Sequence, residues 1–166
     1  MPEKKIVIEE LKIEYEGLLE ISELYKFIDR WLKDKQYDKM ELKNFEQAGT
    51  DGKYVELDLR PYKTLTDYVK FEMRIRVRGY NLKDVDVEKD GKKVRMQQGR
   101  VLIIIDAYFV TDHMKRWESS PYWFFFRTLF DKYVYRGSLT RQEAHLLEDV
   151  SQLQGKLKAF LNLYRY

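Results

Sequence analysis

Ile6, Ile8, Leu11, Ile13 and Tyr15 alternate with charged neighbours, with one break at Glu9-Glu10. Period-two alternation predicts a long strand with one wet face, and the break predicts a bulge. After Gly17 the period changes. Ser22 stands where an N-cap belongs, and Leu24, Phe27, Ile28, Trp31 and Leu32 follow at helical spacing. That stripe predicts an amphipathic helix from about Glu23 to Lys35 with Trp31 in the core.

From Tyr37 to Trp117 no helical period is visible, and turn signals recur at Ala48-Gly49 with Asp51-Gly52, at Gly79 to Asn81, at Asp90-Gly91 and at Gln98-Gly99. They predict an antiparallel meander with segments at about 38 to 47, 53 to 60, 67 to 79, 84 to 89, 92 to 97 and 100 to 113. Asp90-Gly91 is the strongest two-residue hairpin signal. Gln98-Gly99 reads either as a turn or as a bulge inside one long strand, which sets the count at six or seven strands. In Tyr68 to Arg78, Val69, Phe71, Met73, Ile75 and Val77 alternate with Lys70, Glu72, Arg74, Arg76 and Arg78, so one face is dry and the other charged. Val101 to Ile105 is apolar at every position and requires cover on both faces.

Ser120-Pro121 opens a second helix, expected over about Pro121 to Arg136 with Gly137 as its stop. Thr140 and Glu143 form a capping box for a third that runs nearly to the end. Leu147, Val150, Leu157, Leu161 and Tyr164, flanked by Leu146, Leu153 and Phe160, give it a broad apolar face. The expectation is therefore a single α+β domain over residues 1–166. Its antiparallel sheet is curved, one helix follows the first strand, and two C-terminal helices pack on one sheet face.

In this order of elements the chain resembles the helix-grip arrangement of START and Bet v 1-like proteins, in which a curved sheet wraps the last helix. The resemblance is one of topology and rests on no residue motif. It implies an apolar pocket between sheet and last helix, used by relatives for lipids, hormones and polyketides. A strand, helix, three-strand and helix order also resembles small ribosome-associated and double-stranded RNA-binding proteins, although the strand count here is higher.

Composition narrows the chemistry. The 166 residues contain no cysteine, which excludes thiol nucleophiles, disulfides and thiolate zinc sites. His113 and His145 stand in no metal-binding spacing. The longest uncharged stretch, Ser119 to Phe126, is too short to span a bilayer, and the chain opens on no apolar run of signal-peptide length, so a cytoplasmic protein is expected. Residues 1–60 carry 11 Lys+Arg against 15 Asp+Glu, whereas the remainder carries 20 against 13. The basic second half points toward an anionic partner.

Two surfaces stand out. Tyr122, Trp123, Phe125, Phe126 and Phe130 cannot all face one core from one helix, so they suit a sandwiched helix, a protein interface that includes a homodimer, or a membrane-surface or lipid-entry role, and they are the candidate surface for a hydrophobic ligand or partner. Lys70, Arg74, Arg76 and Arg78 form a basic row, read either as cross-strand ion pairs with Glu56, Asp58 and Glu72 or as an anion-binding face. Asp106 and Asp112 share one strand face and His113 lies on the other, so no acid-base dyad forms there. No catalytic set, metal site or cofactor motif emerges. The leading expectation is a non-enzymatic binding module for a hydrophobic small molecule, a lipid or a protein partner. The alternative is a basic RNA- or ribosome-associated protein using the charged sheet face.

Overall fold

A computed structural model describes residues 3–111, residue 125 and residues 136–162. In chain order these form β1 (Glu3–Leu19), α1 (Ile21–Asp34), β2 (Glu41–Gly49), β3 (Gly52–Leu59), β4 (Tyr62–Thr64), β5 (Val69–Lys89), β6 (Lys92–Thr111) and α2 (Arg136–Asn162). The six strands make one antiparallel, open, curled sheet of order β1-β6-β5-β3-β2, with the short β4 pairing beside β3 on β5.

The spine is the β5–β6 hairpin. Lys89 pairs with Lys92 across Asp90-Gly91, and both turn residues have positive φ, 53° and 77°, as the two-residue hairpin turn requires. The other turn signals resolve differently. Gly79 to Asn81 and Gln98-Gly99 do not end strands; they lie opposite one another within two continuous strands of 21 and 20 residues. The register shifts between Tyr80 and Lys83, around Asn81 at φ 53°, so β5 carries the bulge and β6 runs through.

Glycines on the flanking strands make room for that bulge. A Cβ on Gly99 would stand 2.8 Å from the Tyr80 carbonyl oxygen, and one on Gly52 would stand 2.7 Å from the Asn81 carbonyl carbon. The glycines thus serve close backbone approach. The strand count stays at six because two pairs of expected strands fuse while the unforeseen β4 is added.

The first strand is bulged as expected, with register shifts between Ile6 and Leu11 and Glu10 at φ 49°. Helix α1 keeps its stripe: Leu24, Ile28, Trp31 and Leu32 are buried. Its N-terminus differs from the expected Ser22 cap. The cap position is Glu20, which makes no side-chain cap bond; Gln97 Oε1 of β6 accepts from the Ile21 N–H at 3.1 Å. A side chain from the sheet satisfies a donor that no helical carbonyl reaches.

One apolar cluster joins α1, α2 and the concave sheet face, where Val69, Phe71, Met73, Ile75 and Val77 of β5 meet Ile103, Ile105 and Phe109 of β6. Ile104 and Val110, on the opposite face of β6, are also buried, in keeping with the demand for cover on both sides of that strand.

Helix α2 packs on β1 and β6 through Leu146, Val150, Leu153, Leu157 and Leu161, while Leu147 is exposed. Phe27 of α1 stacks on Phe160 of α2 with ring centres 4.8 Å apart, and Tyr37 O–H donates to Asp149 Oδ2 at 2.8 Å. Burial, with the Asp149 carboxylate beside it, raises the Tyr37 phenol, so this donor keeps its proton. Gly137 does not stop a helix, because Arg136, Gly137 and Ser138 are already helical within α2, and Thr140 and Glu143 therefore stand inside that helix and not at its opening. Apart from Phe125 and Arg136, the helix expected over 121–136 lies outside the described residues.

Leu153→Ala should cost about 3 kcal/mol, since its side chain is fully enclosed between helix and sheet. Leu147→Ala, on the same helix but exposed, should stay within about 0.5 kcal/mol. Urea unfolding of the two variants measures the difference.

Candidate functional site

Of the described helices, α1 and α2 do not cover the concave face equally. Helix α2 lies over β1 and β6, so the first turns of α1 face the β2–β3 end of the sheet without it. A cleft of about 460 Å³ opens there, walled by Leu24, Ile28, Val55, Leu57, Val77 and Leu82. Ser22, Asn44, Gln97 and the ends of Lys26, Lys53 and Glu46 rim it.

The β5 bulge shapes this cleft. Inward-facing positions are odd-numbered up to Gly79, and past Asn81 the even-numbered Leu82 turns inward and is buried. A Cβ on Gly79 would stand 2.6 Å from Leu82 Cδ1, so the missing side chain is what admits Leu82 to the wall. The volume and mostly apolar lining suit a small ligand.

This is not where the helix-grip resemblance places a pocket. Under α2, Leu146, Val150, Leu153 and Leu157 are fully buried, and the cleft lies beside α1 instead. The cleft residues come from five elements spread over residues 21–97, and no motif joins them. The useful signal was Val55 and Leu57 on the dry face of β3, one strand in from the β2 edge, beside a helix too short to cover them.

Of the expected aromatic surface only Phe125 can be placed. It is helical and 62% exposed, whereas Tyr122, Trp123, Phe126 and Phe130 lie outside the described residues. Asp112 and His113 also lie outside them.

The charged face of β5 divides residue by residue. Arg74 donates from Nε and Nη2 to Asp58 at 3.1 and 2.7 Å, a two-pronged pair that raises the guanidinium further. Arg76 Nη2 donates to Asp106 Oδ2 at 2.7 Å. Lys70 reaches Glu72 at 2.8 Å, and Arg78 stands opposite Glu56 in the ladder. The cross-strand pairs of Arg74 and Arg76, with the Lys70–Glu72 pair within β5, therefore occupy much of the expected anion-binding row.

Asp106 itself is only 4% exposed. Its Oδ1 accepts the Glu10 N–H at 2.8 Å, so the residue ties the positive-φ bulge of β1 to Arg76. This accounts for a carboxylate in an otherwise apolar run, and it is an architectural role. Among the described residues no group of His, Asp and Glu converges to hold a metal, and no described helix is long and apolar enough to cross a membrane.

Asp106→Ala should cost about 3 kcal/mol or more, because it strands a buried guanidinium and an amide. Asp106→Leu combined with Arg76→Met should recover part of that loss in urea unfolding, and no recovery would argue against the ion pair as its source.

The outer carboxylates set an acid limit. Hydrogen bonds from Lys39 and then Lys33 hold Asp29 below the usual carboxylate range, and Lys43 does the same for Glu56. Their folded values lie below their unfolded ones near 4. The stability they lend is complete above pH ~4 to 5 and is lost as pH falls through the depressed folded values. Asp29→Asn should lower the melting temperature at pH 7 and flatten its fall below pH ~4.

No protein-family model matches this chain, and neither curated proteins nor solved structures include one significantly similar to it.

Proposed function

We propose that the chain is a cytoplasmic, non-enzymatic binding module that takes a hydrophobic small molecule into the cleft between α1 and the β2–β3–β5 end of the sheet. The cleft carries the proposal. A space of about 460 Å³ walled by six aliphatic side chains is costly to leave facing water, and an apolar guest gains by filling it. Neutral polar groups at the rim, from Ser22, Asn44 and Gln97, orient a polar end without demanding a charge. The arrangement is helix-grip-like in its curled sheet and packed helices, with the pocket moved from the last helix to the first.

The RNA reading is weaker on this geometry. Arg76 is withdrawn to the buried Asp106, and Arg74 gives two of its donors to Asp58. A protein partner docking on the aromatic stretch would involve Phe125, which does not line the cleft.

The test is titration with the hydrophobic fluorophore 1-aminoanthracene, in wild type, Val55→Trp and Phe125→Ser. A Trp at position 55 fills the cleft from β3. Saturable binding should be lost at least ten-fold in Val55→Trp and retained in Phe125→Ser, with circular dichroism unchanged. Binding that survives Val55→Trp, or that vanishes with Phe125→Ser, overturns the proposal.

A further inference from the structure

A second groove, of about 450 Å³, lies on the opposite sheet face where β1, β6, β5 and β4 run side by side. Register fixes its floor. Lys4 and Lys70 flank Val110 in one row, and Tyr108, Glu72 and Tyr62 stand adjacent in the next. Arg74 follows on β5, and Arg60 comes from the turn before β4.

Four cations thus line a groove that contains one carboxylate. Lys4 and Lys70 both reach Glu72, at 3.1 and 2.8 Å, and each ammonium also sits over a tyrosine ring, Tyr108 and Tyr62 respectively. Arg74 is held in place by Asp58 through two of its nitrogens, which leaves its remaining donors aimed by a fixed guanidinium. Arg60 makes no ion pair with any described residue.

Once Glu72 and Asp58 have each cancelled one cation, two positive charges remain around a concave, half-buried space. That surplus matches a dianionic phosphoryl group. Burial alone would raise the Glu72 carboxyl, yet the hydrogen bonds from Lys70 and Lys4 outweigh it and hold it low, as a positive local field requires.

We infer that this groove is a binding site for the phosphate group of a small molecule, held by Lys4, Arg60, Lys70 and Arg74 between the rings of Tyr62 and Tyr108. It is separate from the cleft of the proposed function and stands or falls independently. It also relocates the basic row read from the sequence: Lys70 and Arg74 belong to the site, Lys4 and Arg60 join them, and Arg76 is withdrawn to Asp106.

The experiment is a ¹H–¹⁵N NMR titration of the full chain at constant ionic strength, with inorganic phosphate in one arm and adenosine 5′-monophosphate in the other. Saturable shifts are expected at amides near Lys4, Arg60 to Tyr62, Lys70 to Arg74 and Tyr108. Arg60→Gln and Lys4→Gln should each weaken binding five-fold or more, while Lys12→Gln, an exposed lysine elsewhere on β1, changes nothing. Equal affinity in the two arms identifies the phosphate group alone as what is held, and tighter binding of the nucleotide adds its sugar and base. Shifts that never saturate, or equal weakening by Lys12→Gln, overturn the inference. So does a single-stranded RNA oligonucleotide that shifts the whole even-numbered face of residues 70–78 while phosphate leaves the groove unmoved.

Discussion

Along β5, Val69, Phe71, Met73, Ile75 and Val77 turn toward the helices, while Lys70, Glu72, Arg74 and Arg76 turn away. β6, β3 and β4 pair directly with β5, and a shift of one residue in any ladder would carry its apolar set to the charged side. The same row separates the two cavities. The apolar cleft lies on the odd-numbered side and the basic groove on the even-numbered side, so neither can encroach on the other.

Ion pairs on the charged side fix the register a second time. Arg74 reaches from β5 to Asp58 of β3, and Arg76 reaches to Asp106 of β6, which in turn holds the Glu10 amide of β1. Four strands are thereby tied across their width by four side chains. The buried Asp106 contact is the costly member, since a charged group withdrawn from water is tolerable only when its partners are in place. The outer Lys–carboxylate pairs are exposed and contribute far less.

Local patterns were legible. The alternation of β1 and β5, the stripe of α1 and the Asp90-Gly91 hairpin each depend on neighbours a few positions apart, and each appears where the residues place it. Signals with a distant partner were misread. The acceptor for the first α1 amide comes from Gln97, 76 positions away, so Ser22 looked like the cap. Gly79 to Asn81 carried a correct sign of positive φ, but whether such a residue turns the chain or bulges it depends on the strand across from it, and Gly99 there accepts a bulge. The cleft was illegible for a related reason. It is a vacancy left by the unequal reach of two helices, and no residue pattern encodes a gap between elements 30 to 60 positions apart.

That vacancy does not require a weak fold. The seam between α2 and the β1–β6 half is filled by five buried aliphatic side chains and closed by the Phe27–Phe160 stack and the Tyr37–Asp149 bond. Tight packing is therefore concentrated at one end of the concave face, and the other end is free to stay open. The bulge at Asn81 adds to the opening because it turns Leu82 into the wall without narrowing the strand separation, which the glycines at 52, 79 and 99 accommodate. A side chain at any of the three would press on Leu82 or on the bulge backbone, and the first region to distort would be the cleft itself, well away from the seam that holds the helices.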